Sequence, residues 1–186
     1  IVASVRCVQE KVRAWMGENG AGNSTLLSII DGKSSTDSGR ILVRGDATRF
    51  ERPAAAIRAG VGMVYQHFML VDAMTVAQNV LLGQSDKFFL SPKAMNARVG
   101  ALAEEYGLYV DPAARVANLS MGERQRVEIL RLLLRKSEVL IFDEPTTVLT
   151  PAESDQLFEA LRAMAALGTA VVFISHKLPE VLAIAD

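Results

Sequence analysis

The sequence runs to 186 residues, 50% hydrophobic and 22% charged, with a formal net charge of −1. That is enough apolar material for a real core in one domain with room for a subdomain. It excludes a disordered or low-complexity chain, and the near-zero charge removes any overall pull toward nucleic acid. The lone cysteine, Cys7, excludes an internal disulfide and a zinc-type pairing, as suits a reducing compartment. No apolar run approaches the ~18–20 residues of a membrane-spanning helix, and the first five residues are too short for a signal-peptide core. The chain is therefore expected to be soluble, or attached to a membrane only through a partner.

In chain order, residues 12–16 (VRAWM) read as a short strand running into a glycine loop, and residues 24–30 as the first turns of a helix stopped by Asp31-Gly32. Residues 40–44 alternate as a strand does, ended by Gly45-Asp46. Residues 53–59 suit a short helix with proline near its start, and residues 61–65 a further strand. From Thr75 to Lys136 the pattern turns helical, punctuated by Pro92, Gly107 and Pro112. Residues 139–142 form the continuous apolar run of a strand buried on both faces. Residues 151–167 repeat apolar positions at helical spacing, residues 169–174 are a second buried strand, and residues 179–185 begin a last helix. Alternating strands and helices predict an α/β fold with a mostly parallel sheet and an all-helical insertion, without internal repeats.

The stretch GENGAGNST carries chemistry. Against the pattern GxxxxGK(S/T), Gly17 and Gly22 are in register and Ser24 supplies the hydroxyl, whereas Asn23 stands where lysine is usual. Glycines let main-chain amides turn inward, the following helix adds the positive end of its dipole, and Ser24 can complete a magnesium shell. Taken by itself, the stretch is equally a tight strand-to-helix turn.

Further along, the strand VLIFDE delivers Asp143 and Glu144 at its carboxyl end, where open α/β sheets bind ligands. Asp143 can reach the metal and Glu144 can polarise an attacking water, unless this is simply an acidic turn before Pro145. Gln66 follows one strand and His176 another. Either can touch metal, water or a terminal phosphate, or can be an ordinary surface group. LSMGERQ then supplies Ser120 as an N-cap and Gly122 for close approach, giving a second anion-attracting helix start far from the first loop.

With these motifs in this order, the sequence resembles the ATP-binding subunit of ATP-binding-cassette (ABC) transporters over nearly its whole length. GENGAGNST is similar to the Walker A loop, Gln66 to the Q-loop, LSMGERQ to the signature, LIFDEP to Walker B, and His176 in FISHK to the switch histidine. VGMVYQHFMLVDAMTVAQNVLLG, YGLYVDPAARV and DEPTTVLTPAE look most like the first cassette of importers for nucleosides and related simple sugars.

The resemblance implies a P-loop NTPase core over residues 1–74 and 137–186 and a helical signature subdomain over residues 75–136. It implies ATP held by Gly17, Asn19, Gly20, Gly22, Asn23, Ser24 and Thr25, with Mg2+ at Ser24, Gln66 and Asp143. Glu144, His176 and Gln66 would serve catalysis, and Ser120 and Gly122 would serve a nucleotide bound by a second cassette, either a homodimer mate or a fused half. The partners implied are a transmembrane permease, met near residues 66–70, and indirectly a solute-binding protein, with no nucleic acid. The place implied is the cytoplasmic face of the cell membrane, as a peripheral subunit.

The sequence departs from that family at several points. Asn23 is neutral and several bonds shorter than lysine, so two functions stay open: an ATPase that energises import, and a non-hydrolysing nucleotide-binding cassette with a structural or regulatory role. A soluble cassette acting on DNA or in translation would share the motifs, but such proteins carry coiled-coil or basic insertions. Here Arg124, Arg126, Arg131 and Arg135 are the one concentrated basic run, expected to be a solvated or phosphate-facing surface. No residue before Ile1 offers the aromatic that stacks on adenine, Gln9-Glu10-Lys11 replaces a glycine-containing turn, and the final strands are absent after Asp186, so the chain resembles a fragment of a cassette. Met121 and Glu123 differ from the commonest signature, and Thr150 replaces the usual D-loop aspartate, both as in the nucleoside and sugar importer subgroup.

Overall fold

The computed structural model describes residues 11–16, 23–35, 38–84 and 91–185, with the side chain of Asn23 outside the described residues. Four parallel strands form the central sheet: β1 (Val12–Met16), β4 (Val61–Val64), β5 (Val139–Asp143) and β6 (Ala170–Ser175), in the order β1-β6-β5-β4. β5 and β6 occupy the middle, which is why their sequences, VLIFD and AVVFIS, are apolar on both faces.

Alternation along these strands divides the core into two layers. Leu140, Phe142, Val171 and Phe173 point to one side, where they pack with Val127, Leu130, Leu161 and Met164. Ile141, Val172 and Ile174 point to the other, against Leu27, Phe50 and Ala56. Helices therefore cover both faces of the sheet, the α/β architecture expected from the sequence. Phe158 meets Phe173 edge-on, with ring centroids 5.6 Å apart.

On the second layer lie α1 (Asn23–Ile30) and α2 (Pro53–Arg58), with Pro53 at the first helical position. Between them the chain departs from expectation. The strand ends at Val43, and Arg44-Gly45 turns the chain back at once, so that β2 (Ile41–Val43) pairs antiparallel with β3 (Asp46–Thr48). Arg44 and Gly45 both take positive φ, 55° and 91°, as a two-residue type I′ turn requires. Arg44 then forms an ion pair with Glu138, tying the hairpin to the approach of β5.

The first helix stops where the sequence indicates. Gly32, at φ 75°, donates to the Ile29 carbonyl at 3.1 Å, and Lys33 donates to that of Ser28 at 2.8 Å. A Cβ at Gly32 would lie 2.7 Å from the Arg52 carbonyl oxygen. Gly32→Ala is accordingly expected to lower stability by about 2 kcal/mol, read as a lower midpoint in urea denaturation.

Between β4 and β5 the chain is helical: α3 (Val76–Leu81), α4 (Pro92–Glu105) and α5 (Met121–Leu134). Thr75 with Gln78, and Ser120 with Glu123, form reciprocal capping boxes that fix the starts of α3 and α5. Ser91 and Pro92 begin α4. After β5, Thr150 caps α6 (Pro151–Ala166) in a third capping box with Glu153, and α7 (Leu178–Ile184) follows β6. Thr150 thus has a structural use of its own. No helix among the described residues is long and apolar enough to cross a membrane.

Candidate nucleotide site

Register brings the motif-bearing strand ends to one rim. Met16, the last residue before the glycine loop, lies opposite Ser175, and Ile174 lies opposite Asp143. Val64, two residues before Gln66, is opposite Phe142. The carboxyl ends of these four strands therefore bring Met16, His176, Asp143-Glu144 and Gln66 to the same edge, where open α/β sheets bind ligands. Gly17, Asn19, Gly20 and Gly22 lie outside the described residues. Ser24 and Thr25 are exposed in the first turn of α1.

On this rim His176 meets Glu144, with Nδ1 2.8 Å from Oε1. Against a carboxylate, Nδ1 is the donor, leaving Nε2 to face outward. Glu144 itself sits at φ 46°, a region that costs a non-glycine residue energy and persists only where the surroundings over-determine it. They do so here: its amide donates to the Ile174 carbonyl at 3.0 Å, and its own carbonyl accepts from the Thr147 hydroxyl at 3.0 Å. Next door, the Pro145 carbonyl accepts from the buried side-chain amide of Gln125 at 3.2 Å.

Burial pushes the Asp143 carboxyl up from the usual carboxylate range, and the neighbouring Glu144 charge adds to the rise. A divalent cation would reverse both effects, since a half-buried carboxylate beside a second anion gains most from a positive ligand. One such oxygen donor, with the hydroxyl of Ser24 and the amide of Gln66 as further oxygen ligands, is a set suited to magnesium, which keeps water and phosphate in its shell. Gln66 is exposed and placed by its neighbour: the Tyr65 hydroxyl donates to Asp31 at 2.5 Å while Lys33 lies 3.8 Å above the Tyr65 ring.

The second helix start is capped by Ser120, as the sequence indicates. Ser120 is exposed, but the first amides of α5 are already engaged. Ser120 N–H donates to Glu123 at 2.8 Å, and Gly122 N–H donates to Glu153 of α6 at 3.3 Å. The close approach that Gly122 permits is that of Glu153, since a Cβ there would stand 2.7 Å from its Oε1. Hydrogen bonds from the Thr150 amide and hydroxyl hold the Glu153 carboxyl below its ordinary range, with a smaller contribution from the Gly122 amide.

The basic run on α5 departs from a solvated face. Arg124 pairs with Asp72 at 2.8 Å, Arg126 donates to Gln156 at 3.1 Å, and Arg135 donates to the Leu82 carbonyl at 3.1 Å. Arg131 donates to the Met69 carbonyl at 2.7 Å. The run fastens α5 to the segment after Gln66 and to α6. Sequence reasoning also missed Glu128, a charge embedded in the apolar stretch VEIL, and Glu180, one turn beyond His176; the embedding of Glu128 was the available signal.

The sequence matches the ABC transporter family over residues 2–147. It is 43% identical over 178 residues to the nucleoside import ATP-binding protein NupA of Lactococcus lactis subsp. cremoris, covering 95% of this chain and 35% of that protein. It is 40% identical to a glucose import ATP-binding protein of Haloferax volcanii, covering 95% and 38%. Against the guanosine import ATP-binding protein NupO of Bacillus subtilis it is 42% identical, covering 87% and 32%. The chain thus spans about a third of the length of these relatives. Among solved structures, an ATP-binding cassette of an ABC transporter in its ADP conformation superposes with a TM-score of 0.82 at 26% identity, covering 96% of this chain and 75% of that one. A nucleotide-free cassette gives 0.83 at 24% identity, covering 98% and 77%, a likeness of fold. Sequence match and strand-end geometry agree, and the chain belongs to the ABC transporter family.

Proposed function

We propose that the chain is the ATP-binding part of an importer for nucleosides or simple sugars. The observation that carries this reading is the His176–Glu144 contact of 2.8 Å on the rim where the four parallel strands end. Gly17, Asn19, Gly20, Gly22, Asn23, Ser24 and Thr25 would cradle the phosphates of ATP. Ser24, Gln66 and Asp143 would hold Mg2+, which supplies charge neutralisation on the transferring phosphoryl group. Glu144 would orient and polarise water, and His176, held by Glu144 through Nδ1, would present Nε2 to the terminal phosphate. Gln66 would report occupancy to the rest of the chain.

In this reading, residues 75–136 act as the signature subdomain and the remainder as the ATPase core. A second cassette, from a homodimer mate or a fused half, would meet this one head to tail. The exposed Ser120 hydroxyl, whose proton remains available to an acceptor, is then the group that greets the mate's nucleotide, with Gly122 beside it in the first turn of α5, where its amide engages Glu153. The exposed Met69 and Val71 would face a membrane permease, keeping the chain peripheral at the cytoplasmic face, with a solute-binding protein engaged through that permease. The relatives' printed substrates, nucleoside, guanosine and glucose, support this class of solute.

A second reading, a cassette that binds ATP without hydrolysing it, is favoured by one specific residue, Asn23. Main-chain amides, helix dipole and metal survive its presence, so binding is expected to persist. Titration with a fluorescent ATP analogue should give saturable, Mg2+-dependent binding, and membrane extracts should yield a permease on the purified chain. No binding would overturn both readings. Recovery with ribosomes or DNA in place of a permease would overturn the importer.

A further inference from the structure

We propose that Glu180 is a positioning residue for the Glu144–His176 pair, joining the two loops that carry them through a single carboxylate. For its effect on turnover, the inference rests on the hydrolytic reading above.

The geometry is specific. Oε2 of Glu180 accepts from the Thr146 hydroxyl at 2.6 Å and from the Ser175 hydroxyl at 2.8 Å. Its Oε1 accepts from Lys177 Nζ at 2.9 Å, and the Lys177 amide donates to the Ser175 hydroxyl oxygen at 3.1 Å. Thr146 stands two residues after Glu144; Ser175 and Lys177 flank His176 on either side. Both loops therefore converge on one oxygen, with the lysine on the other.

Chemistry explains why this residue type serves. Two hydroxyls and an ammonium, all donors, converge on this group; a carboxylate accepts from all three and supplies the counter-charge, whereas a glutamine keeps one acceptor oxygen and would turn its NH2 group on Lys177. Burial pushes the Glu180 carboxyl up, but the bonds from Thr146, Lys177 and Ser175 outweigh it and hold the group below its ordinary range. It is an anion at neutral pH. The side chain is 15% exposed, so the bonds compete little with water.

The need for such a tie follows from Glu144. A left-handed glutamate relaxes unless its surroundings forbid it, and relaxation would swing its carboxylate away from His176. The amide bond to Ile174 fixes the start of this loop. Glu180 fixes it beyond Pro145, using the residue before His176 as the second anchor.

Two readouts test the inference. The chain has two histidines, His67 and His176, so ring resonances in ¹H–¹⁵N spectra assign with one His67→Gln variant. In Glu180→Gln the hydrogen-bonded Nδ1 proton of His176 is expected to shift or vanish while the remaining amide spectrum stays folded. Should that variant not fold, Ser175→Ala and Thr146→Val each remove one bond and are expected to move the same resonance. An unchanged ring signature in the folded variants overturns the proposal.

The second readout is phosphate release in the Asn23→Lys chain. There Glu180→Gln is expected to lower kcat about tenfold, as a small misplacement of a reacting group does, with KM unchanged. Thr146→Val added to Glu180→Ala should cost nothing beyond Glu180→Ala, because there the shared acceptor is gone. A fall in KM-dependent terms alone, or fully additive losses, overturns the positioning role. If no chain releases phosphate while the His176 resonance still responds to Glu180→Gln, the hydrolytic reading falls and the structural tie stands.

Discussion

Replacing Asn23 by lysine is expected to raise Mg2+-dependent ATP hydrolysis by roughly two to three orders of magnitude, equivalent to about 3–4 kcal/mol at the barrier. The reason is reach and charge. At the position before Ser24, a lysine carries a full positive charge on a four-carbon stem to where negative charge must be stabilised during phosphoryl transfer, and asparagine offers a short neutral amide. Because the amides of the loop, the start of α1 and the metal act on ground state and transition state alike, nucleotide affinity should change much less than turnover. In the lysine background, Glu144→Gln should return the rate to that of the native chain or below, since the carboxylate that polarises water is then lost. Steady-state phosphate release measured with binding on the same preparations separates the outcomes. Equal, robust rates with Asn23 and with lysine would remove the non-hydrolysing reading, and equal, negligible rates would show that Asn23 is not what limits turnover.

How far the sequence carries depends on whether a feature is local. The apolar runs VLIFD and AVVFIS identify β5 and β6 because burial on both faces leaves no other composition stable there. Ser120 announces α5 because a serine suits the cap of a helix start, whereas the caps by Glu123 and Glu153 and the capping role of Thr150 emerge only in the structure. Asp143, Glu144 and His176 are legible too: each lies at a strand end, and the parallel order places strand ends together. The β2–β3 hairpin is less legible, since Gly45-Asp46 serves equally as a stop and as a turn, and only the partner strand decides.

What stays hidden is what arises from meetings between distant segments. Nothing in the spacing of Arg124, Arg126, Arg131 and Arg135 says that backbone carbonyls of residues 69 and 82 await two of them. Glu180 acquires its role only when residues 146 and 175 are brought to it by two neighbouring strands. Gly122 was legible as a point of close approach, but the approaching group, Glu153, belongs to a helix 31 residues on.

The same kind of meeting sets the second large expected effect. Glu128 is 2% exposed and Arg131 14%, and together they grip one residue, Met69, of the segment after Gln66. Glu128 accepts from the Met69 amide at 2.7 Å and from Arg131 at 2.5 Å, while Arg131 donates to the Met69 carbonyl at 2.7 Å. Burial pushes the Glu128 carboxyl up in spite of the pull from Arg131 and the Met69 amide, so the pair as a whole is no large net source of stability. Removing one member is a different matter. Glu128→Ala would leave a buried guanidinium without its counter-charge and the Met69 amide without an acceptor, a loss of about 3–5 kcal/mol. That is a large share of the roughly 5–15 kcal/mol that holds a domain together, and it corresponds to a fall in Tm of roughly 10 °C.

Glu128→Gln keeps an acceptor for the Met69 amide and should lose less. Glu128→Met combined with Arg131→Met removes both charges and should recover part of the alanine loss, but not all of it, because the Met69 amide and carbonyl stay unpaired. Thermal melts of these chains and of Glu128→Met and Arg131→Met singly test the ordering, and amide exchange at Met69 tests its cause. Additive losses in the double variant would mean that the two side chains act separately. Recovery with fast exchange at Met69 would mean that the pair exists to fix the backbone of residues 69–71, whose other end Asn79 holds by bonding both the amide and the carbonyl of Val71, at 2.8 and 3.0 Å. Helices α5 and α3 thus hold the two ends of the segment that presents Met69 and Val71 outward.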